Sequence, residues 1–305
     1  MKIAIEELAG CSGCTIAVLD LHELILDVLE KAEIVYSPVI MDVKEPPEGI
    51  DIAFVTGAVR NAENEERLKT IRARAKILVA LGTCAVYGGI SGLSMLSSRE
   101  DLFNYVYREV DTVAADGTIP SDVPPFLYRA FAVGDKVKID YFIPGCPPKE
   151  NRLRQILPAM VAGDHVSLSR KSVCSECDRT MGPIENWTLK RRFEGEPDPR
   201  YCLLGQGYLC LGPVTFCGCG AACPAKNISC HGCNGPSLDI LREPCRDIFN
   251  MTVRRISDLT DRPEKEVAAE LYDVAHTMYP FTMGSQVMED KEISKIRELI
   301  KEGSR

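Results

Sequence analysis

The sequence KIAIEELAGCSGC, residues 2–14, decides the fold of the first half of the chain. Its apolar opening over residues 2–6 predicts a buried strand, and the glycine-rich C-x-x-C that follows predicts a tight loop. Apolar residues at helical spacing then predict a helix over about 15–31. A strand, a cysteine loop and a helix in this order are typical of an α/β protein with a mainly parallel sheet.

The same alternation continues outward from this stretch. It predicts strands over 34–40, 51–56, 76–81 and 136–143, and helices over 61–75, 102–110 and 150–161. From about residue 165 to residue 236, glycine, proline and cysteine replace the pattern, and helices return over 264–278 and 291–302. We therefore expect two domains, 1–165 and 166–305. The loop-rich segment has too few apolar side chains to order itself by packing, so bound metal is its expected organiser.

Composition excludes several classes of function. The 305 residues are 45% hydrophobic, and the formal net charge is −8. A chain this acidic offers no basic surface for phosphates, so we expect no nucleic-acid partner. No apolar run is long enough to cross a bilayer and the first residues contain no targeting segment, which predicts a cytoplasmic protein without a membrane span.

Fourteen cysteines are the most informative feature of the composition. In the cytoplasm thiols are kept reduced, which disfavours disulfides and favours metal binding. Zinc, an iron–sulfur cluster and copper are the candidates, and the arrangement of the cysteines must decide among them.

The first group of cysteines follows the predicted strands. The C-x-x-C comes directly after the first strand, and single cysteines follow the strands 76–81 and 136–143. Because the carboxyl ends of parallel strands share one edge of the sheet, these loops should meet there. We predict that they hold one cubane iron–sulfur cluster. The alternatives are a thioredoxin-like redox pair in the C-x-x-C, or zinc. The four predicted ligands are Cys11, Cys14, Cys84 and Cys146.

The remaining cysteines lie in the loop-rich segment and beyond it. One predicted set is Cys174, Cys177, Cys202 and Cys210; the other is Cys219, Cys223, Cys230 and Cys233, with Pro224 beside a ligand. Cys217 and Cys245 are left over as ordinary thiols, although Cys217 could replace Cys219 as a ligand. Zinc knuckles are the alternative for the whole segment. His231 is predicted to donate a hydrogen bond beside a cluster rather than to bind metal.

Several runs of sequence resemble a known family. GCSGC (10–14), GTCAVYGG (82–89) and PGCPP (144–148), followed by a cysteine-rich second half, are similar to the small subunits of [NiFe] hydrogenases. Within that family, SPVIMD (37–42), LGTCAVYGG (81–89) and CHGCNGP (230–236) most resemble the F420-non-reducing (methyl-viologen-reducing) type of methanogenic archaea.

The resemblance implies a fold and a set of cofactors. It implies a flavodoxin-like parallel-sheet domain followed by a loop-rich, partly helical cluster-binding domain, with three [4Fe–4S] clusters. The proximal, medial and distal clusters would lie on the sets that begin at Cys11, Cys219 and Cys174, respectively. Many relatives have a histidine where this chain has Cys174. The fourth medial cysteine favours a cubane over a three-iron cluster.

The resemblance also implies that hydrogen chemistry and electron transfer take place in different subunits. The nickel–iron centre would lie in a large-subunit partner, and this chain, with no catalytic side chain of its own, would relay electrons to an iron–sulfur adaptor and heterodisulfide reductase. An F420-reducing or sulfur-reducing hydrogenase small subunit is the alternative within the family. A quinone-coupled respiratory subunit fits the cysteine spacing poorly, and a zinc-binding scaffold or hydrogen sensor is the alternative outside electron transfer.

Overall fold

The computed structural model describes residues 1–113, 116–169 and 171–303. Seven strands are described: β1 (Lys2–Glu7), β2 (Glu33–Tyr36), β3 (Ile50–Thr56), β4 (Val59–Asn61), β5 (Ala75–Leu81), β6 (Phe126–Phe131) and β7 (Tyr141–Ile143). Helices of the first half are α1 (Gly13–Leu19), α2 (Glu23–Leu29), α3 (Ala62–Arg74), α4 (Thr83–Tyr87), α5 (Arg99–Asn104) and α6 (Glu150–Ala162). Those of the second half are α7 (Ala222–Ala225), α8 (Leu238–Arg242), α9 (Ile248–Thr260), α10 (Glu264–Glu270), α11 (Val274–Met278), α12 (Gln286–Glu289) and α13 (Lys295–Gly303).

Five strands form one parallel sheet in the order β2-β1-β3-β5-β7. Counted along the chain, this is the order 2-1-3-4-5 of flavodoxin-like folds, in which ligands bind beyond the carboxyl ends of the strands where the order reverses. The α/β prediction is therefore confirmed. In addition, β4 and β6 form a small antiparallel sheet that the sequence did not indicate.

Helices cover both faces of the parallel sheet. On one face, Leu68 and Ile71 of α3 are fully buried against β1, β3 and β5. On the other face, α1, α2 and α6 pack through side chains such as Leu153 and Ile156. The two faces of the central strands β1, β3 and β5 are therefore both apolar, as expected for parallel strands that are buried on both sides.

Three predicted elements of the first half are wrong in extent. The helix expected over 15–31 is two helices, because the chain turns sharply at His22, whose φ of 53° is left-handed. The strand expected over 136–143 is limited to β7, because the Asp140 carboxylate accepts the N–H of Leu78 at 2.8 Å in place of a strand partner. The second strand also ends at Tyr36 rather than at residue 40.

The second half has more helix than the sequence indicated. Helix α9 lies in the part after residue 236 where the sequence predicts helix without giving bounds, and Asp247 caps it by accepting the N–H of Phe249 at 3.0 Å. The helix expected over 264–278 breaks into α10 and α11 at Asp273, which has a left-handed φ of 45°. The helix expected over 291–302 begins only at Lys295.

The loop-rich segment buries more apolar surface than its composition indicates. Val173, Leu203, Leu204, Leu211 and Val214 are all buried in one cluster with side chains of α9 to α13. The division into domains at residue 165 stays a prediction. Across the described ranges, we find no helix that has both the length and the apolar character needed to cross a bilayer.

Candidate metal centres

The four cysteines of the proximal set lie around one cavity at the carboxyl edge of the parallel sheet. Cys11 and Cys14 come from the loop after β1 and the start of α1, Cys84 lies in α4 directly after β5, and Cys146 follows β7. Gly57, which follows β3, completes the cavity, whose volume is about 50 Å³. The structure thus brings together four residues that are spread over half the chain.

Burial raises the pKa values of three of these thiols, Cys14, Cys84 and Cys146, and close packing adds to the effect. Burial, and then the neighbouring Cys84, Cys146 and Cys11, raise the pKa of Cys14 to about 12. Burial, and then Cys84 and Cys11, raise the pKa of Cys146 to about 11. Four thiolates at this spacing would repel one another unless a cationic centre bound them, which is the chemistry of an iron–sulfur site.

A glycine makes this approach of the thiols possible. Gly82 joins β5 to α4 with a φ of 89°, and a Cβ atom added there would overlap the Sγ of Cys14. Glu7 fixes the other side of the loop, since its carboxylate accepts hydrogen bonds from the hydroxyls of Ser12 and, at 3.1 Å, Thr15. Both constraints act on the conformation of the C-x-x-C loop.

The distal set surrounds a second cavity of about 160 Å³, lined by all four of its cysteines and by Arg255 and Leu259 of α9. Cys174 reaches the protein surface, but its thiol is packed among the others. Burial there, and then Cys210, Cys202 and Cys177, raise the pKa of the Cys174 thiol to about 12. The structure brings these four residues together as it does the proximal four.

The medial set lies between the other two. The Cys233 thiol has Cys219 and Cys223 as electrostatic neighbours, and burial raises its pKa to about 11. The Cys230 thiol is buried, which raises its pKa well above the ordinary value, and it faces Cys210 of the distal set as well as Cys233. This set is therefore in contact with its neighbours on both sides.

Two backbone N–H groups make those contacts. The N–H of Cys146, a proximal residue, faces the Cys233 thiol and opposes the rise in its pKa. The N–H of Cys230 donates to the Sγ of Cys210, a distal residue, at 3.3 Å. The three sets consequently form one continuous series through the protein, in the order proximal, medial, distal.

The two cysteines left out of the sets occupy different surroundings. Cys217 is buried, and its carbonyl oxygen accepts hydrogen bonds from Arg152 and Asn234. Cys245 is exposed in the turn between α8 and α9. All fourteen cysteines carry free thiols.

The histidine beside the medial set does not donate from Nδ1. The Nδ1 atom of His231 lies 2.7 Å from a guanidinium nitrogen of Arg192, which can only donate. Burial, and then the charge of Arg192, lower the pKa of His231 to about 4. The ring is thus neutral and accepts a hydrogen bond at Nδ1.

Three residues near the centres were missed from the sequence. They are Thr83, Arg152 and Glu176, which hold the cysteine loops through hydrogen bonds to backbone atoms. Glu176 lies within the second C-x-x-C. A carboxylate inside a predicted metal-binding loop is the sequence feature that could have indicated its role. Nothing in the sequence near Thr83 or Arg152 indicates their partners.

The cavities fit an iron–sulfur cluster better than a single ion. In the described part of the chain, no three His, Cys, Asp or Glu side chains are close enough to hold one metal ion. Zinc draws its sulfur ligands to about 2.3 Å from the metal. The proximal and distal cysteines instead enclose space between them, and four thiol donors are the usual ligands of a cubane cluster.

Comparison with known proteins places this arrangement in a family. A family model described as "NADH ubiquinone oxidoreductase, 20 Kd subunit" matches residues 11–160. A vhu F420-non-reducing hydrogenase subunit of Methanocaldococcus jannaschii is 46% identical over 244 residues, covering 79% of this chain and 84% of the relative. An F420-non-reducing hydrogenase subunit of Methanothermobacter marburgensis is 37% identical over 292 residues, covering 93% and 94%.

A solved structure agrees with these relatives. A chain of an NAD⁺-reducing [NiFe]-hydrogenase in the H2-reduced state is 33% identical, with a TM-score of 0.53, over 55% of this chain and 95% of that one. The fold and the clustered cysteines define an iron–sulfur small subunit of an oxidoreductase. The chain belongs to the [NiFe] hydrogenase small subunits, and its relatives of 37–46% identity are F420-non-reducing hydrogenase subunits of methanogens. The catalytic centre of such an enzyme lies in the large-subunit partner.

Proposed function

We propose that this chain relays electrons from hydrogen oxidation in the large subunit through three [4Fe–4S] clusters to an iron–sulfur adaptor and heterodisulfide reductase. The proximal cluster is assigned to Cys11, Cys14, Cys84 and Cys146. The medial cluster is assigned to Cys219, Cys223, Cys230 and Cys233, and the distal cluster to Cys174, Cys177, Cys202 and Cys210. Bound there, each cluster would accept and release one electron.

The observation that carries the proposal is the continuity of the three sets. The hydroxyl of Thr83, beside the proximal Cys84, donates to the carbonyl oxygen of the medial Cys233, and the N–H of Cys230 donates to the Sγ of the distal Cys210. Hydrogen bonds to cluster sulfurs are among the factors that set reduction potentials. The protein thus supplies fixed spacing and donors, and no side chain of this chain needs to act as acid, base or nucleophile.

Burial of the medial set supports its position in the middle of the path. Cys230 is buried and the other three medial cysteines are partly buried, whereas Cys11 and Cys174 of the outer sets are exposed. In the proposed assembly the large subunit covers the proximal end at Cys11, and the adaptor covers the distal end at Cys174. The medial residues exclude water between them.

The names of the relatives bear on the electron acceptor. The methanogen relatives are named as F420-non-reducing hydrogenases, which favours an acceptor other than F420. We assign the complex to the cytoplasm, because fourteen cysteines, none of them in a disulfide, suit a reducing compartment.

Purification of the intact complex under anaerobic conditions tests this function. We expect the large subunit, an adaptor and heterodisulfide reductase to copurify, and H2 to drive reduction of viologen dye and of the heterodisulfide but not of F420. A Cys174→Ala variant should lose heterodisulfide reduction, whereas Cys245→Ala, at an exposed position outside the three sets, should keep it. H2-dependent reduction of F420 by the purified complex would contradict the proposal.

A further inference from the structure

A buried arginine lies between the proximal and medial loops. Arg152 of α6 is 4% exposed, and its guanidinium donates to the carbonyl oxygens of Pro144 and Cys217. Pro144 belongs to the loop that carries Cys146, and Cys217 to the loop that carries Cys219. One cationic side chain therefore bridges the two loops.

The medial loop is shaped around this side chain. Gly218 has a φ of 99°, and a Cβ atom added there would overlap the guanidinium of Arg152. The ring of Phe216 lies 5.2 Å from the guanidinium carbon. Such close packing holds the charge at a fixed position, so it cannot swing out into water as the charge of a surface arginine would.

The direct partners of Arg152 do not neutralise it. They are carbonyl groups and an aromatic ring, whereas the nearby Glu176 carboxylate accepts the N–H groups of Gly218, Cys219 and Gly220 at 2.8 to 3.2 Å. A buried cation is destabilising unless negative charge lies close by. The thiols of Cys217 and Cys219 and, as a smaller contribution, the Glu176 carboxylate are electrostatic neighbours of the guanidinium.

We propose that Arg152 is a positioning residue that tunes the medial centre, its fixed positive charge stabilising the reduced form of the cluster bound there. Reduction adds one electron, supplied by hydrogen oxidation in the partner subunit, and makes the cluster more negative. A cation at a fixed place near the sulfurs favours that form and raises the midpoint potential. This inference rests on the proposed function.

The test uses the intact complex, with midpoint potentials measured by EPR-monitored redox titration. The signal that is lost or altered in a Cys223→Ala variant identifies the medial cluster. In Arg152→Gln we expect this signal to titrate at a more negative potential. At a given potential the ratio of reduced to oxidised medial cluster should fall by about tenfold, which corresponds to about 59 mV for one electron. Arg152→Lys keeps the charge, so its medial signal should titrate close to the midpoint potential of the unsubstituted complex.

Arg154 provides the matched control. It lies on the same helix, but it is exposed and pairs with Glu150 at 2.7 Å, so Arg154→Gln should leave all three potentials unchanged. An unshifted medial potential in Arg152→Gln with full iron content would overturn the inference. So would an Arg152→Lys variant that loses iron or shifts as far as Arg152→Gln, because the role would then be structural.

The iron content separates the role of the Arg152 charge from a structural role of the side chain, and both from a failure of the proposed function. If Arg152→Gln loses about four irons, Arg152→Lys decides: full iron and an unchanged medial potential support the role of the charge. If the unsubstituted complex itself lacks a medial cluster, the proposed function fails rather than the role of Arg152.

Discussion

The hydroxyl of Thr83 donates a hydrogen bond to the backbone carbonyl of Cys233, a residue 150 positions further along the chain. The same oxygen accepts the N–H of Gly145 at 2.9 Å. Thr83 is 1% exposed, so both bonds are shielded from water. One side chain next to the proximal Cys84 therefore fixes the position of a medial cysteine.

Removal of this hydroxyl should loosen the proximal–medial contact. We expect Thr83→Val to destabilise the chain by about 1–3 kcal/mol, because it leaves a buried N–H and a buried carbonyl unpaired. Thermal unfolding of the anaerobic complex measures the loss. Thr83→Ser retains the hydroxyl, so its stability should be close to that of the unsubstituted protein. Equal losses of stability in the two variants would refute the hydrogen-bond explanation.

Substitution of Gly82 should abolish the proximal centre. A methyl group at this position would overlap the Sγ of Cys14, so Gly82→Ala is expected to lose about four irons per chain. Gly49→Ala is the control, because Gly49 also has a positive φ, of 74°, but no atom lies within 4 Å of its added Cβ. The control should cost about 1 kcal/mol of stability and no iron. Full iron in Gly82→Ala would show that the loop can move aside.

The choice between Cys217 and Cys219 as a medial ligand can be settled by single substitutions. The Cys233 thiol has Cys219 as its first cysteine neighbour. We therefore expect Cys219→Ala to lose the medial cluster, and Cys217→Ala to keep it with at most the cost of a small cavity. Iron analysis and EPR of each anaerobic variant give the answer. The reverse pattern would move the ligand assignment to Cys217.

The buried carboxyl of Glu6 should make stability depend on pH. It is 1% exposed, and burial raises its pKa although Arg67 lies 3.2 Å away and opposes the shift. Because the folded pKa lies above the unfolded value, the folded state binds the proton more tightly, and stability falls as the pH rises from the unfolded pKa through the folded one.

A Glu6→Gln variant isolates this contribution, since glutamine cannot ionise. The melting temperature of the variant relative to the unsubstituted protein is expected to increase as the pH rises from about 5 to about 7. A difference in melting temperature that does not depend on pH reports the altered contacts of residue 6 with Arg67 and Tyr36. A difference that stays constant or decreases over this range would mean that Glu6 is ionised in the fold without cost.

The sequence was sufficient for the parallel sheet, whereas the grouping of the cysteines into ligand sets stays a prediction. Strands such as β3 and β5 are short apolar runs buried on both faces, so the residues of each strand are enough to predict it. The shortened β7 was not predictable, because its start depends on a side-chain bond from Asp140 to a strand residue 62 positions away. Thr83 and Arg152 were missed for the same reason: their partners are carbonyl groups of distant loops, which no local pattern reveals.

Iron and acid-labile sulfide in the anaerobic complex test the central claim most directly. Three cubane clusters predict about twelve irons and about twelve sulfides for this chain, beyond those of its partners, and no zinc. Because the partners contribute iron of their own, the small subunit should be separated anaerobically or compared with Cys11→Ala, Cys223→Ala and Cys174→Ala variants, each short of about four irons. Zinc without acid-labile sulfide, or a variant series with no loss of iron, would contradict the three-cluster relay.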